Sequence, residues 1–428
     1  MFQTFRNAWK IEELRKKILF TLLILLLYRL GNAVPVPYVN TAALSDYFTV
    51  LQNTVLGLYN TMSGGAFSMA TIFALSIQPY INASIIIQLL CIAIPALERL
   101  SKEGGEEGRK KIGAITRYST VGIGLLQGLG YFVLIKNNGL LNANAEGIWP
   151  AIVIIMTFTA GSALVMWLGE QITEFGIGNG ISIILFASIV SRFPTGIGTM
   201  ITNAINGFTK WWIVALMLIG ALLMVVMIVF VSNAERRIPV QYAKRVVGRK
   251  MYGGQSTHLP MKVNMSGVLP IIFAQSIASL PATIAMLTGG NQDGWFLRNF
   301  NMNTIPYAII YFLLIIFFAY FYSTIQFNPV EVANNLKKNG GFIPGYRPGK
   351  PTSEFIQKVL NKITLFGALY LGIIACLPII ISAISPAASA SGISLGGTSI
   401  IIVVGVAIET VNALENQMLM RHYKGFLE

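Results

Sequence analysis

Ten apolar stretches, each close to the length that crosses a lipid bilayer, dominate the sequence. A membrane-spanning helix needs about 20 mostly apolar residues to cross a hydrocarbon core of about 30 Å. Segments of this kind lie at approximately 18–34, 77–96, 113–135, 148–168, 177–193, 211–232, 266–288, 305–326, 363–384 and 398–415. Only 11% of the 428 residues are charged, whereas soluble domains carry about 25%. The sequence therefore predicts an all-α polytopic membrane protein with ten transmembrane helices.

Lysine and arginine are distributed unevenly between alternate loops. Of 31 basic residues, 26 lie before the first span, in residues 98–117, 233–262 and 337–362, or after the last span. The other five are Arg29, Lys136, Arg192, Lys210 and Arg298, at or near the opposite ends of the spans. Because positive residues stay on the cytoplasmic side, both termini are predicted to be cytoplasmic. The first span lacks a small-x-small cleavage pattern after it, so we expect it to be retained.

The region between the first two spans, 38–76, contains an apolar piece too short to cross. It begins at Gly64-Gly65 and continues through Phe67, Met69 and Ile72. Non-helical backbone is tolerated at membrane depth only where protein buries it or water reaches it. The pattern therefore allows two interpretations: a re-entrant segment inside a cavity, or an ordinary amphipathic helix on the outer surface.

The ionisable residues within the spans are too few for intramembrane catalysis. The only aspartates, Asp46 and Asp293, fall in predicted outer loops. Ser63 has no base, since neither His258 nor His422 lies in a span. The two histidines also lack a second ligand at metal spacing. We therefore expect a protein that is not an enzyme and has neither cofactor nor metal site.

One alternative function is a secondary transporter of a small solute. A coupled transporter usually needs a carboxylate near the midplane to bind its driving ion. Glu409 in the last span is the clearest candidate, whereas Glu170 and Glu174 lie where the fourth span ends and are interpreted as interfacial. Transport by sodium sites built from carbonyls and hydroxyls also remains open.

Two large loops that are predicted to be cytoplasmic have features beyond the basic residues that orientation in the membrane requires. Residues 235–264 hold seven basic residues against one acid, which suits either a solvated face or docking to an acidic protein or to RNA phosphate. In the second loop, 328–362, Arg347 lies within the turn-forming run Pro344-Gly345-Tyr346-Arg347-Pro348-Gly349. Arginine presents a planar fork of donors, so its position at a loop tip favours recognition of a partner.

Several long segments resemble the SecY family, the central subunits of the bacterial protein-conducting channel. They are residues 72–88 (IFALSIQPYINASIIIQ), 104–111, 242–245, 255–260 and 334–349. They occur in the family's order and the resemblance spans nearly the whole chain. It implies two inverted five-helix halves, residues 1–195 and 196–428, around an hourglass pore, with cytoplasmic loops at 233–265 and 327–362 in the second half. It further implies a channel in the cell membrane that translocates unfolded secretory polypeptides and releases transmembrane helices sideways into lipid.

The resemblance also assigns residues to the pore. A ring of bulky aliphatics is implied at the waist, formed by Ile81, Ile85, Ile181, Leu185, Ile272 and Ile402. Such a constriction dewets and resists ions, yet its flexible side chains can mould around a passing chain. Residues 63–75 match the family's plug, a small helix in the outer funnel, with Gly64, Gly65, Phe67, Met69, Ile72 and Phe73. The i, i+4 pairs on the second and fifth spans also suit plain lipid-facing residues, and without the resemblance the lipid-facing interpretation would be favoured.

A lateral gate and docking contacts complete the expected machinery. The seam that releases apolar helices is expected between spans two and three on one wall and seven and eight on the other. Its polar candidates are Gln88, Thr120, Gln127, Gln275 and Ser276, each of which could instead satisfy a neighbouring helix. Arg245, Lys250 and Arg347 are the implied contacts for the SecA ATPase and the ribosome. Other implied partners are SecE, SecG, signal peptides with their preprotein or nascent chains, the lipid bilayer and, as further candidates, YidC and SecDF.

Overall fold

The computed structural model describes residues 2–50, 55–102, 104–142, 147–207, 210–242, 245–247, 250–252, 256–264, 267–287, 304–384 and 397–424. Its first half is built from helices α1 (Phe2–Lys10), α2 (Glu12–Gly31), α3 (Thr41–Val50), α4 (Val55–Met62), α5 (Gln78–Ala93), α6 (Pro95–Lys102), α7 (Gly105–Asn137), α8 (Ile148–Phe175), α9 (Gly180–Val190) and α10 (Phe193–Ile205). The second half contains α11 (Trp211–Asn233), α12 (Leu269–Leu287), α13 (Ile305–Gln326), α14 (Pro329–Lys338), α15 (Lys350–Ile384) and α16 (Gly397–Lys424).

Each of the ten predicted spans corresponds to a helix: α2, α5, α7, α8, α9, α11, α12, α13, α15 and α16. By length and composition alone, seven described helical segments can cross a membrane, or eight if the bent pair α5 and α6 is one span. Of the two others, α2 carries Arg15, Lys16 and Lys17 near its start, and α12 is a shorter apolar helix over its described part, Leu269–Ala278. The charges and the shorter apolar length explain why these two fall below that threshold.

Local sequence sets several helix boundaries. Asn179 begins α9, because its side-chain oxygen accepts hydrogen bonds from the backbone N–H groups of Ile181 and Ser182. Ile94 is extended before Pro95, and the chain turns by 106° between α5 and α6. Helix α10 continues beyond the predicted end of the fifth span, so the expected division after residue 195 falls inside a helix.

The helices pack as two groups that meet along two sides. In the first group α7 contacts α5 and α8, and α8 contacts α2 and α9; in the second, α13 contacts α12 and α15, and α15 contacts α16. On one side of the molecule α9 packs on α16, and on another α7 contacts α12. The largest apolar cluster of buried residues includes members of both groups, so the core continues across the boundary between them.

The two long basic loops, which the sequence predicts to be cytoplasmic, form a small sheet that no pattern in either loop indicated. Strands β1 (Glu235–Tyr242), β4 (Ser256–Lys262) and β5 (Gly341–Phe342) pair in the antiparallel order β4-β1-β5, while β2 (Arg245–Val247) and β3 (Lys250–Tyr252) form a separate hairpin. Ile238 and Val240 alternate with exposed residues on β1, as a strand with one buried face requires. They share an apolar cluster with Ile343 and Ile356, so the two basic loops are one folded unit.

The segment 63–75 is not the small helix that we expected. The short helix is α4, which ends at Met62, and residues 63–77 form consecutive turns with a bridge between Thr71 and Pro35. Positive φ angles at Gly64, Gly65, Ala70 and Ser76 interrupt any helix there, because a right-handed helix needs negative φ throughout. The segment is nevertheless buried along most of its length, which favours the re-entrant interpretation over a surface helix.

Candidate pore and gate

The six aliphatic residues of the expected ring come from four helices and lie in the same apolar cluster. Helix α5 supplies Ile81 and Ile85, α9 supplies Ile181 and Leu185, and α12 and α16 supply Ile272 and Ile402. Five of the six are buried, and Ile181 is partly buried against them. None therefore lies on the lipid-facing surface, which was the alternative for the two i, i+4 pairs. Their assignment as a pore ring stays a prediction.

Helix α4 lies between the two groups of helices. It contacts α9 of the first group and α12 of the second, the helices that carry three of the ring candidates. Met62, the last residue of α4, belongs to the same apolar cluster as the ring candidates. A segment in this position touches both halves at once, so separating the halves must break one of its contacts.

Aromatic contacts fix the turns that follow α4. The ring of Phe67 stacks on Tyr131 of α7 at 4.1 Å between centroids, and the Tyr131 hydroxyl donates a hydrogen bond to the Phe67 carbonyl. Phe73 stacks on Tyr28 of α2 at 5.7 Å. Tyr28 in turn is hydrogen-bonded to Ser76 and, at 2.8 Å, to Ser188 of α9. Of the expected plug residues, Phe67 and Phe73 are thus anchored, Ile72 is half-buried, and Met69 is exposed.

Close backbone approach also places this segment. A Cβ atom on Gly161 of α8 would lie 1.9 Å from the Ile72 carbonyl oxygen, so only glycine lets α8 approach the turns this closely. Within the segment, the Asn60 side chain accepts a hydrogen bond from the backbone N–H of Ser68, and Ser63 Oγ accepts one from the N–H of Phe67. These bonds satisfy backbone donors that the turns would otherwise leave buried and unpaired.

The expected lateral-gate residues are only partly brought together. Thr120 and Gln127 lie on α7 and Gln275 and Ser276 on α12, two helices that contact each other. Thr120 donates its hydroxyl hydrogen bond to Thr116 of its own helix, so it needs no partner across the seam. Within the described part of the chain, the buried Oε1 atom of Gln127 has no hydrogen-bond partner. Gln88 is exposed on α5, which packs on α7.

The docking candidates belong to the folded unit that the two basic loops form. Arg245 pairs with Tyr252 and Lys250 with Val247 in the β2–β3 hairpin; their side chains lie outside the described residues. Arg347 is exposed at a rigid tip, since its carbonyl accepts a hydrogen bond from the Thr352 hydroxyl. Next to it the ring of Tyr346 stacks on Phe355 of α15. In the sequence they appear as two separate loops, because strand pairing between distant segments is not visible in either one.

Two acidic residues on the membrane helices have specific surroundings. Glu170 of α8 forms an ion pair with Arg117 of α7 at 2.8 Å, so it joins these two helices. Glu409 of α16 is exposed and lies 3.5 Å from the position of a Cβ atom on Gly267. No group of three or more potential metal ligands occurs among the described side chains.

Two bundles of membrane helices, an apolar cluster that crosses between them and a short helix that touches both define a polytopic helical membrane protein with a re-entrant segment at its centre. Comparison with known proteins narrows this class. The chain belongs to the SecY family, whose sequence profile matches residues 71–411. It is 46% identical over 442 residues to the Streptomyces scabiei "Protein translocase subunit SecY", with 100% of both chains covered.

Solved structures of the same fold support this assignment. One is a SecY channel described with its plug domain, which is said to stabilise the closed state of that channel and maintain a membrane seal; it covers 94% of this chain and 92% of its own at 18% identity, with a TM-score of 0.63. Another is Sec61 in a canine ribosome–channel complex, with the same coverage, 17% identity and a TM-score of 0.60. The chain therefore has the ten-helix fold of these channels.

Proposed function

We propose that this SecY-family chain is the channel subunit of a protein translocase, which passes unfolded secretory polypeptides across the cell membrane and releases apolar helices sideways into lipid. The observation that carries the proposal is the position of α4 and the turns that follow it. Helix α4 contacts both helix groups, and the segment packs beside the apolar cluster that the two groups share. An apolar constriction closed by a segment that can be displaced suits a cargo that is long and chemically varied. The described ring candidates are all aliphatic, so they would not hold a small solute by polar contacts.

The ring supplies the seal at rest. Ile81, Ile85, Leu185, Ile272 and Ile402 are buried, and Ile181 packs against their cluster. An aliphatic constriction holds water and ions out, because no polar group replaces their hydration. Side chains of this kind also change rotamer to fit an extended chain. Sealing and passage therefore use the same residues.

The plug supports the seal from the outer side. In this proposal α4 and residues 63–77 fill the outer funnel, and an entering chain displaces them. The contacts of Phe67 with Tyr131 and of Phe73 with Tyr28 hold the segment at rest. The related SecY structure described above assigns a sealing role to its plug domain, which agrees with this reading.

An apolar cargo helix leaves between α5 and α7 on one wall and α12 and α13 on the other. The contact between α7 and α12 closes this seam at rest. Two polar residues are the best candidates to hold the seam closed. They are Gln127, whose buried side-chain oxygen has no hydrogen-bond partner among the described residues, and the buried Gln275. Transfer of the cargo helix into lipid stabilises the open seam, because each buried methylene group contributes about 0.8 kcal/mol.

The cytoplasmic unit is the docking surface for the motors, with both termini on the same side of the membrane. The chain supplies Arg347 and the basic β2–β3 hairpin with Arg245 and Lys250 for contact with the SecA ATPase or the ribosome. The ribosome-bound Sec61 structure supports a ribosome partner by its fold. SecE and SecG are proposed as companion subunits, with signal peptides as the ligands that open the channel.

Photocrosslinking tests the pathway directly. Photoreactive residues are placed at Ile85 and Ile402, and a stalled secretory chain is captured in the channel. We expect adducts to cargo at both positions and none at Leu223, whose side chain is 60% exposed on the outer face of α11. Absence of cargo adducts at both ring positions, with export intact, would overturn the proposed pathway.

A further inference from the structure

Glu409 is an acidic residue in a membrane helix that neither the seal, the plug nor the seam explains. Charged residues at this depth are rare and usually face the interior of a bundle or a water-filled cavity. The transporter alternative would have used Glu409 to couple an ion. Its position in α16 suggests another role.

The helical register places Glu409 on the same face as Ile402. The two are seven residues apart, and an α-helix with 3.6 residues per turn returns to nearly the same direction after seven residues. At about 1.5 Å per residue, Glu409 lies about 10 Å further along the helix, toward its cytoplasmic end. If Ile402 faces the pore, Glu409 faces the vestibule that a chain crosses before the ring.

Burial around Glu409 agrees with this placement. The most apolar stretch of α16 is 61% buried, the largest share among the seven described helical segments that are long and apolar enough to cross a membrane. Its neighbours Ile408 and Val411 are buried, yet Glu409 itself is exposed. A carboxylate that faced lipid at this depth would be costly, which favours an opening within the protein over lipid as the surroundings of this side chain.

The surroundings leave the carboxylate available. One oxygen approaches Gly267, which has a positive φ of 63° and precedes the helix that carries Ile272. Lys262 and the phenol of Tyr322 are within electrostatic reach. Among the residues that the structure describes, the Glu409 carboxylate nevertheless forms no ion pair within 4.0 Å and accepts no hydrogen bond.

We propose that Glu409 receives the lysine or arginine side chains that precede the apolar segment of a cargo chain, and so determines which cargo is held at the entrance to the ring. This inference rests on the proposed function. Basic residues next to an apolar helix stay on the cytoplasmic side. A carboxylate about 10 Å short of the ring holds them there while the apolar segment moves into the seam.

Export in proteoliposomes that contain the complete translocase tests the charge preference. Two cargo proteins differ only before the apolar segment, where one has three lysines and the other three glutamines. We expect Glu409→Gln to slow export of the lysine cargo about two- to fivefold, as for one partly screened ion pair, and to leave the glutamine cargo unchanged. Glu415→Gln is the matched control on the same helix, since that carboxylate accepts a hydrogen bond from Thr4; it should affect neither cargo.

The outcomes separate this inference from the proposed function. Equal slowing of both cargoes by Glu409→Gln, or no slowing of either, overturns the inference while the channel function stands. Failure of the unaltered translocase to export either cargo overturns both. A photoreactive residue at 409 should also capture the lysine segment of a stalled chain, and one at Thr410, which faces Gly178, should not. Capture at Ile402 without any capture at 409 likewise overturns the inference alone.

Discussion

The guanidinium of Arg192 occupies the space that a side chain on Gly65 would need. A Cβ atom built on Gly65 would lie only 2.9 Å from Nη1 of Arg192, and one on Gly64 would lie 3.2 Å from Nη1 of Arg29. The φ angles are also positive, 69° at Gly64 and 93° at Gly65, and residues with a side chain rarely adopt such angles. Arg29 and Arg192 therefore close over the turn that follows α4.

Substitution of Gly65 by alanine should loosen the plug and raise the resting ion conductance. The added methyl group must displace Arg192 and, in addition, adopt a backbone conformation that costs about 1–2 kcal/mol. Conductance of the complete complex in planar bilayers measures the effect. Gly139→Ala is the matched control, because Gly139 has a φ of 66° and nothing within 4 Å of its Cβ position. Equal conductance in the two variants would show that contact with Arg192 does not hold the plug.

Replacement of Ile85, Ile181 and Ile402 by serine should also raise the resting conductance, since hydroxyl groups let water and ions enter an apolar constriction. The same measurement applies. A triple change of Leu216, Ile219 and Leu223 to serine alters the same amount of aliphatic surface on the exposed face of α11 and should leave conductance unchanged. An unchanged resting conductance in the ring variant would mean that these residues do not form the seal.

The membrane helices could be predicted because long apolar windows are a local signal. Their ends could not: α7 begins at Gly105 rather than 113, and α15 begins at Lys350 rather than 363. In both cases the helix continues with charged and polar residues beyond the apolar stretch. A hydropathy profile marks the residues that lie in the lipid bilayer, whereas a helix ends where its backbone hydrogen bonds end.

The sheet of the two basic loops and helix α4 depend on contacts that no short window of sequence contains. Strand β1 shows alternation only at Ile238 and Val240, and its partner β5 lies about a hundred residues away, at Gly341–Phe342. Helix α4 is eight residues long, too short to be stable alone, and is held by α9 and α12. The ring candidates came from family resemblance, because aliphatic i, i+4 pairs look the same whether they face a pore or lipid.

Charge reversal at Arg347 should impair motor-driven export without changing the fold. The side chain is exposed, and the hydrogen bond given for Arg347 among the described residues is that of its backbone carbonyl with Thr352, so Arg347→Glu should cost less than about 0.5 kcal/mol in stability. Export rates with SecA and with ribosome-bound chains measure the loss. Lys350→Glu makes the same charge change three residues away, at the start of α15, and should leave export close to normal. Normal export by Arg347→Glu would mean that the tip is only structural.

Truncation of Ile356 should separate docking from sealing. Ile356 is fully buried in the apolar cluster of the basic loops with Ile238 and Ile343, so Ile356→Ala should cost about 2–5 kcal/mol and loosen the sheet. Because this cluster is distinct from the one that contains the ring, motor-driven export should fall while resting conductance stays at the unaltered level. Hydrogen exchange of β1 amides reports the loosening, and Phe366→Ala, on an exposed face of the same helix, is the control. A rise in conductance in Ile356→Ala alone would instead mean that the cytoplasmic unit and the seal are mechanically coupled.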